Sequence, residues 1–172
     1  MKLQSNDFEL FQLPERFEQD AQALTKTWQD LQRQAHPDKF ASEGAAAQRL
    51  AMQWSVRINE AYQRLRDPLK RAAYLCELQE APIQAENNTA MPAAFLMQQM
   101  EWREALEDAR SASDIDALED EVNGARRRLL ADCAEQIDQK QDFAAAAQQV
   151  RALMFLERFG QDVEKRREAL SF

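Results

Sequence analysis

Glycine and proline are scarce in this chain, with 3 and 5 residues among 172. Such a backbone has few places to turn, and turn-rich architectures are correspondingly disfavoured. Cysteine occurs twice, at Cys76 and Cys133. Two thiols exclude a disulfide framework and a four-thiolate metal site. No apolar run reaches membrane-spanning length, and the start does not read as a signal peptide, so a soluble, cytoplasmic protein is expected. A basic surplus is missing too. The net charge is −8, which argues against a nucleic-acid or anionic-membrane partner.

What is abundant is helix-forming chemistry. Ala, Gln, Glu, Leu and Arg dominate, and an all-α chain is expected. The charge is unevenly placed: residues 1–78 hold 11 cations and 11 anions, whereas residues 79–172 hold 11 and 19. The shift coincides with a break in periodicity from Gln79 to Met91, which contains Pro82, Asn87, Asn88 and Thr89. Two modules are therefore expected, 1–78 and 92–172, with 79–91 as a linker.

Phe8, Leu10, Phe11 and Leu13 predict a helix of one or two turns ending at Pro14. Ala21, Leu24, Trp28, Leu31 and Ala35 recur at spacings 3, 4, 3, 4 and form one apolar stripe, with Asp20 as its N-cap. A second long helix runs from about Gly44 to Arg66 on Ala47, Leu50, Trp54, Ile58, Ala61 and Leu65. Asp67-Pro68 then stops and restarts the chain. Three further helical stretches, about 92–110, 114–137 and 142–170, suit a three-helix bundle.

Between the first two long helices lies His36-Pro37-Asp38-Lys39, with the chain's only histidine. Pro37 disfavours helix at His36, so 36 to about 43 is expected as a loop. Pro37 stiffens it, Asp38 can accept a bidentate arginine, and His36 donates or accepts according to tautomer. A bland alternative is a helix-ending turn in which Asp38 merely caps. Lys26, Arg33, Lys39, Lys70 and Arg71 could form a cationic docking face, although exposed cations often serve only solubility.

On the helix near residue 100, Phe95, Trp102, Leu106 and Ala109 make a core stripe. Leu96, Met97, Met100, Glu101, Glu104 and Asp108 fall on an adjacent face mixing apolar and acidic side chains. That face suits a partner, or it packs internally, since Met also fills core gaps.

These features resemble a J domain, whose hallmark is a His-Pro-Asp loop between antiparallel helices. The match extends to the HscB family, the J-type co-chaperones of iron–sulfur cluster assembly. It is carried by Phe8-Glu9-Leu10-Phe11-Gln12-Leu13-Pro14, Leu31-Gln32-Arg33-Gln34, Asp38-Lys39-Phe40-Ala41-Ser42 and Ile58-Asn59-Glu60-Ala61-Tyr62. Further on it is carried by Ala94-Phe95-Leu96-Met97, Arg103-Glu104 and Val150-Arg151-Ala152-Leu153 with Phe155-Leu156. The chain departs from J domains at Ala35, where an aromatic residue usually precedes the histidine. It also lacks the N-terminal Cys-x-x-Cys pairs of eukaryotic relatives, so no metal, no cofactor and a bacterial-type protein are expected.

The resemblance implies a co-chaperone rather than an enzyme. His36, Pro37, Asp38, Lys39, Lys26 and Arg33 would meet a DnaK-type, HscA-like chaperone and stimulate its ATPase. Leu96, Met97, Met100, Glu101, Glu104, Asp108 and Phe155 would bind the iron–sulfur scaffold protein. A generic J protein with another client, and a histidine phosphotransfer protein, are the alternatives. The second is disfavoured by Pro37, because a phosphotransfer histidine belongs mid-helix.

Overall fold

A computed structural model describes residues 2–86 and 89–171. Asn87 and Asn88, part of the expected linker signal, lie outside the described residues. Helices account for the regular structure among the described residues. The chain forms two compact units, Met1–Tyr74 and Leu75–Phe172.

The first unit opens with the one-turn helix α1, Asp7–Leu10, capped by Asn6. Helix α2, Ala21–Ala35, begins where the Asp20 carboxylate accepts the Gln22 and Ala23 amides, as the sequence predicts. Helix α3 spans Ala45–Arg66. The pairs Thr25–Tyr62, Trp28–Asn59 and Gln32–Ser55 run in opposite directions along the two helices, so α2 and α3 form an antiparallel hairpin. Trp28 and Tyr62 stack with ring centroids 4.5 Å apart. Leu24, Leu31, Ile58, Ala61 and Leu65 bury the facing stripes.

Sequence reasoning expected a loop after α2. Pro37–Glu43 instead forms a 3-10 helix. Pro37 at its first position fixes a helical φ, and His36 caps it, which tightens the reversal into i→i+3 turns. Gly44, at φ +99°, then turns the chain into α3 through a conformation that L side chains rarely adopt.

Helix α4, Pro68–Leu78, restarts as predicted, with the Asp67 side chain accepting from the Leu69 and Lys70 amides. The unit boundary falls within α4, upstream of the expected 79–91 connection. Cys76 and Ile83 are buried in the second unit, where the Cys76 thiol contacts the Phe143 carbonyl at 3.7 Å. Arg151 donates to the carbonyls of Ile83 at 2.9 Å and Ala90 at 3.0 Å, which ties the segment before residue 93 to the bundle.

Helices α5 (Ala93–Asp108), α6 (Ala112–Ala134) and α7 (Phe143–Leu170) make the three-helix bundle. A π turn at Glu135–Gln139 extends α6. Phe95 meets Phe155 and Trp102 meets Phe159, so α5 runs parallel to α7. Among the described residues no helix is long and apolar enough to cross a membrane.

Candidate functional site

Two surfaces carry the residues singled out in the sequence. The first is the turn after α2. His36 leaves the helix at φ −60°, ψ 128°, and its Nδ1 accepts the Asp38 amide at 3.2 Å. The Lys39 amide donates to the His36 carbonyl at 3.0 Å. An Nδ1 that accepts a hydrogen bond carries no proton, so neutral His36 holds its proton on Nε2 as a donor. The His36 and Asp38 side chains are 57% and 92% exposed, with Nδ1 3.6 Å from the Asp38 carboxylate. The turn is thus held by its own short-range bonds, while an N–H donor and a carboxylate face solvent. His36 ends a helix rather than lying within one.

The expected cationic face divides. Lys26 and Lys39 are exposed. Arg33 is exposed and pairs with Asp30 one turn back, a surface pair of small net worth that a partner can displace. Lys70 lines a separate shallow depression with Val56, Glu60 and Arg64. Arg71 does not belong to a docking face. It is buried, donates to the carbonyls of Phe17 and Leu65, each at 2.6 Å, and lies over the Phe17 ring. A guanidinium can satisfy two carbonyls that would otherwise be buried unpaired, which is why this cation is internal.

The second surface is on α5. Leu96, Met97, Met100, Glu101, Glu104 and Asp108 are all exposed, with Met97 and Met100 at 69% and 72%. Met97, Met100, Glu101, Arg103, Glu104 and Glu107 line a shallow depression of about 440 Å³. Phe95 and Trp102 face inward, packing edge to face with centroids 5.9 Å apart. Phe155 differs from the rest of the expected set. It is only 7% exposed, its ring lies 5.7 Å from Phe95 and 5.6 Å from Phe159, and Arg103 of α5 sits over its face at 5.3 Å. Phe155 therefore supports the α5 surface from beneath, with only a sliver of its own area offered outward.

Sequence reasoning missed a charged cluster that anchors the first unit. Asp7 is fully buried. Its carboxylate accepts from Arg64 at 2.5 and 3.0 Å and lies 2.8 Å from Arg57 Nη1. The Tyr74 hydroxyl accepts the Asp7 amide at 3.0 Å, and burial raises the Tyr74 pKa. The hydrogen bond to Asp7 is the main cause holding the Arg64 pKa above its ordinary value. The available signal was an acid, Asp7, directly before the apolar cluster Phe8, Leu10 and Phe11, matched to two arginines seven apart on α3.

Comparisons with known proteins cover both units of the chain. Residues 91–164 match the family described as the HSCB C-terminal oligomerisation domain. The chain is 50% identical to the co-chaperone protein HscB homolog of Bordetella petrii, over 94% of this chain and 96% of that relative. It is 49% identical to the HscB homolog of Burkholderia thailandensis, over 99% and 98%. The structure of chaperone HscB from Vibrio cholerae superposes with a TM-score of 0.78 at 37% identity, covering 96% of this chain and 99% of that one. Human co-chaperone protein HscB shares the fold, with a TM-score of 0.87 at 24% identity over 97% and 84%.

Proposed function

Because the chain belongs to the HscB family of co-chaperones, we propose that it carries an iron–sulfur cluster scaffold protein to an HscA-like, DnaK-type chaperone and stimulates that chaperone's ATPase. The observation that carries this reading is the exposed, internally bonded His36-Pro37-Asp38 turn. It is backed by a separate acidic module whose α5 displays Met97 and Met100 among carboxylates.

The division of labour follows. Residues 1–78 act as the chaperone-docking J domain, 79–91 as the connection and 92–172 as the scaffold-binding bundle. Asp38 accepts an arginine of the chaperone, and His36 Nε2–H supplies a donor beside it. The turn's backbone and the His36 ring are held before contact, so ordering them costs docking little. Lys26, Arg33 and Lys39 steer an acidic chaperone surface and chiefly tune association rate and salt sensitivity. Leu96, Met97 and Met100 give the scaffold an adaptable apolar footing, Glu101, Glu104 and Asp108 rim it, and Phe155 holds its shape. The protein hydrolyses nothing itself, binds neither nucleic acid nor membrane, and works in the cytoplasm.

His36→Gln tests the central step. It is expected to abolish stimulation of the cognate chaperone's ATPase with helical dichroism unchanged, since the side chain is exposed. Undiminished stimulation overturns the J-domain mechanism.

A further inference from the structure

Oxidisable sulfur is unevenly placed in this molecule. Among the described residues Met52, Met97 and Met100 are exposed, Met91 and Met154 are half-buried, and both cysteines are buried. A thiol attacks a peroxide as its thiolate. Burial raises the pKa of Cys76 and of Cys133, so neither supplies that form near neutral pH. A thioether needs no deprotonation, only access. In the second unit that access belongs to Met97 and Met100, at 69% and 72% exposure.

These two lie three residues apart on one face of α5 and line the same depression, with Glu101, Arg103, Glu104 and Glu107. An oxygen added to either sulfur turns a flexible apolar end into a polar acceptor. Ionised carboxylates accept hydrogen bonds and donate none. Arg103 is therefore the single donor side chain among the described residues of the lining, and its guanidinium already sits over the Phe155 ring. A sulfoxide oxygen here keeps water as its partner, and apolar surface laid on the face has to strip that water away.

We infer that Met97 and Met100 form a peroxide-sensitive switch on α5, in which conversion to methionine sulfoxide loosens the hold on the scaffold protein. The inference rests on the scaffold-binding function read above and adds its regulation. In the step, the thioether lone pair attacks one oxygen of hydrogen peroxide. The S–O bond forms as the O–O bond breaks, and the departing hydroxide takes the proton of the transferred oxygen and leaves as water. Sulfur is oxidised by two electrons and the peroxide is reduced by two. A thiol-dependent sulfoxide reductase reverses it, releasing the oxygen as water while two thiols become a disulfide. His36, Pro37, Asp38 and Lys39 carry no sulfur, so the switch acts on cargo and leaves chaperone stimulation alone.

The test treats the full-length chain with hydrogen peroxide, removes the oxidant, and then titrates untreated scaffold protein by calorimetry. Peptide mass spectrometry is expected to find one oxygen each on Met97 and Met100, with Cys76 and Cys133 unchanged. Scaffold affinity is expected to fall about tenfold for each sulfoxide and to return after treatment with sulfoxide reductase. Stimulation of the chaperone's ATPase without scaffold is unchanged. Each variant is scored by the ratio of its affinities before and after oxidation. That ratio drops to about one in the Met97→Leu/Met100→Leu chain and keeps its wild-type value in Met52→Leu, whose residue lies on α3. Oxygen on both methionines with scaffold affinity intact overturns the switch and leaves the co-chaperone reading standing. An oxidative loss that persists in Met97→Leu/Met100→Leu, or that ATPase stimulation shares, also overturns it. An untreated wild-type chain that does not bind the scaffold overturns the scaffold reading and the switch together.

Discussion

Replacing Phe155 by alanine separates support of the α5 surface from direct contact with a partner. The ring is 7% exposed and touches Phe95, Phe159 and the Arg103 guanidinium. Its removal leaves a cavity between α5 and α7, with an expected cost of about 3–5 kcal/mol. In a unit of about 100 residues each kcal/mol is worth roughly 4–8 °C, so the bundle transition should fall by at least about 12 °C. Differential scanning calorimetry reads this directly, and Phe155→Leu should recover most of it. Met97→Ala and Met100→Ala are the contrast. At 69% and 72% exposure, each should change stability by no more than about 0.5 kcal/mol. If the scaffold covers them, each should weaken its binding by roughly 1–2 kcal/mol in titration calorimetry, about two-thirds of the burial value of a whole methionine side chain. A Phe155→Ala protein that melts within 3 °C of wild type, a drop below the ~4 °C that even 1 kcal/mol would produce, refutes the support role. Unchanged scaffold affinity in the Met97/Met100 double variant refutes the contact role of α5.

Asp7→Asn should destabilise the first unit by about 2–3 kcal/mol in urea denaturation, below the full cost of breaking a buried pair because Arg64 is partly solvated; a loss under about 0.5 kcal/mol would show that the cluster contributes nothing net. Burial pushes the Cys76 thiol from its ordinary 9.0 up to about 11 and Cys133 up to about 12. Both therefore stay protonated in the folded state after the unfolded chain has begun to ionise. Their contribution to stability is complete below pH 9 and is lost as pH rises through 11 and 12. The urea midpoint of wild type, compared with a Cys76→Ala/Cys133→Ala variant, should fall more steeply above pH 9; parallel profiles would contradict the burial argument.

Much of the fold was legible because amphipathic helices write their faces into local spacing. The α2 stripe, the Asp20 cap and the Asp67-Pro68 restart needed no information from afar. The inward and outward faces of α5 were separable for the same reason. What stayed hidden depends on partners distant in sequence. Nothing local distinguishes Arg71, which turns inward to Phe17 and Leu65, from Lys70 beside it. Asp7 finds Arg57 and Arg64 across some fifty residues, and Arg151 fixes a segment that composition alone presents as a free connection. An open pocket of about 360 Å³ lined by Leu31, Ala35, Phe40, Leu50 and Trp54 is left between α2, α3 and the turn that joins them, and periodicity records which residues face inward without recording whether they fill the space.

Arg151 and Phe155 lie one turn apart on α7 and give that helix a mechanical role. Arg151 holds the strand of chain leading into α5, and Phe155 braces α5 just beyond its first residues. α7 is thus a spar with two fastenings, one for the incoming chain and one for α5 itself. A pull applied at Met97 or Met100 is met within a few residues by a buried guanidinium and a stack of rings. Force on the exposed face of α5 therefore passes into α7 and not into a loose end of chain.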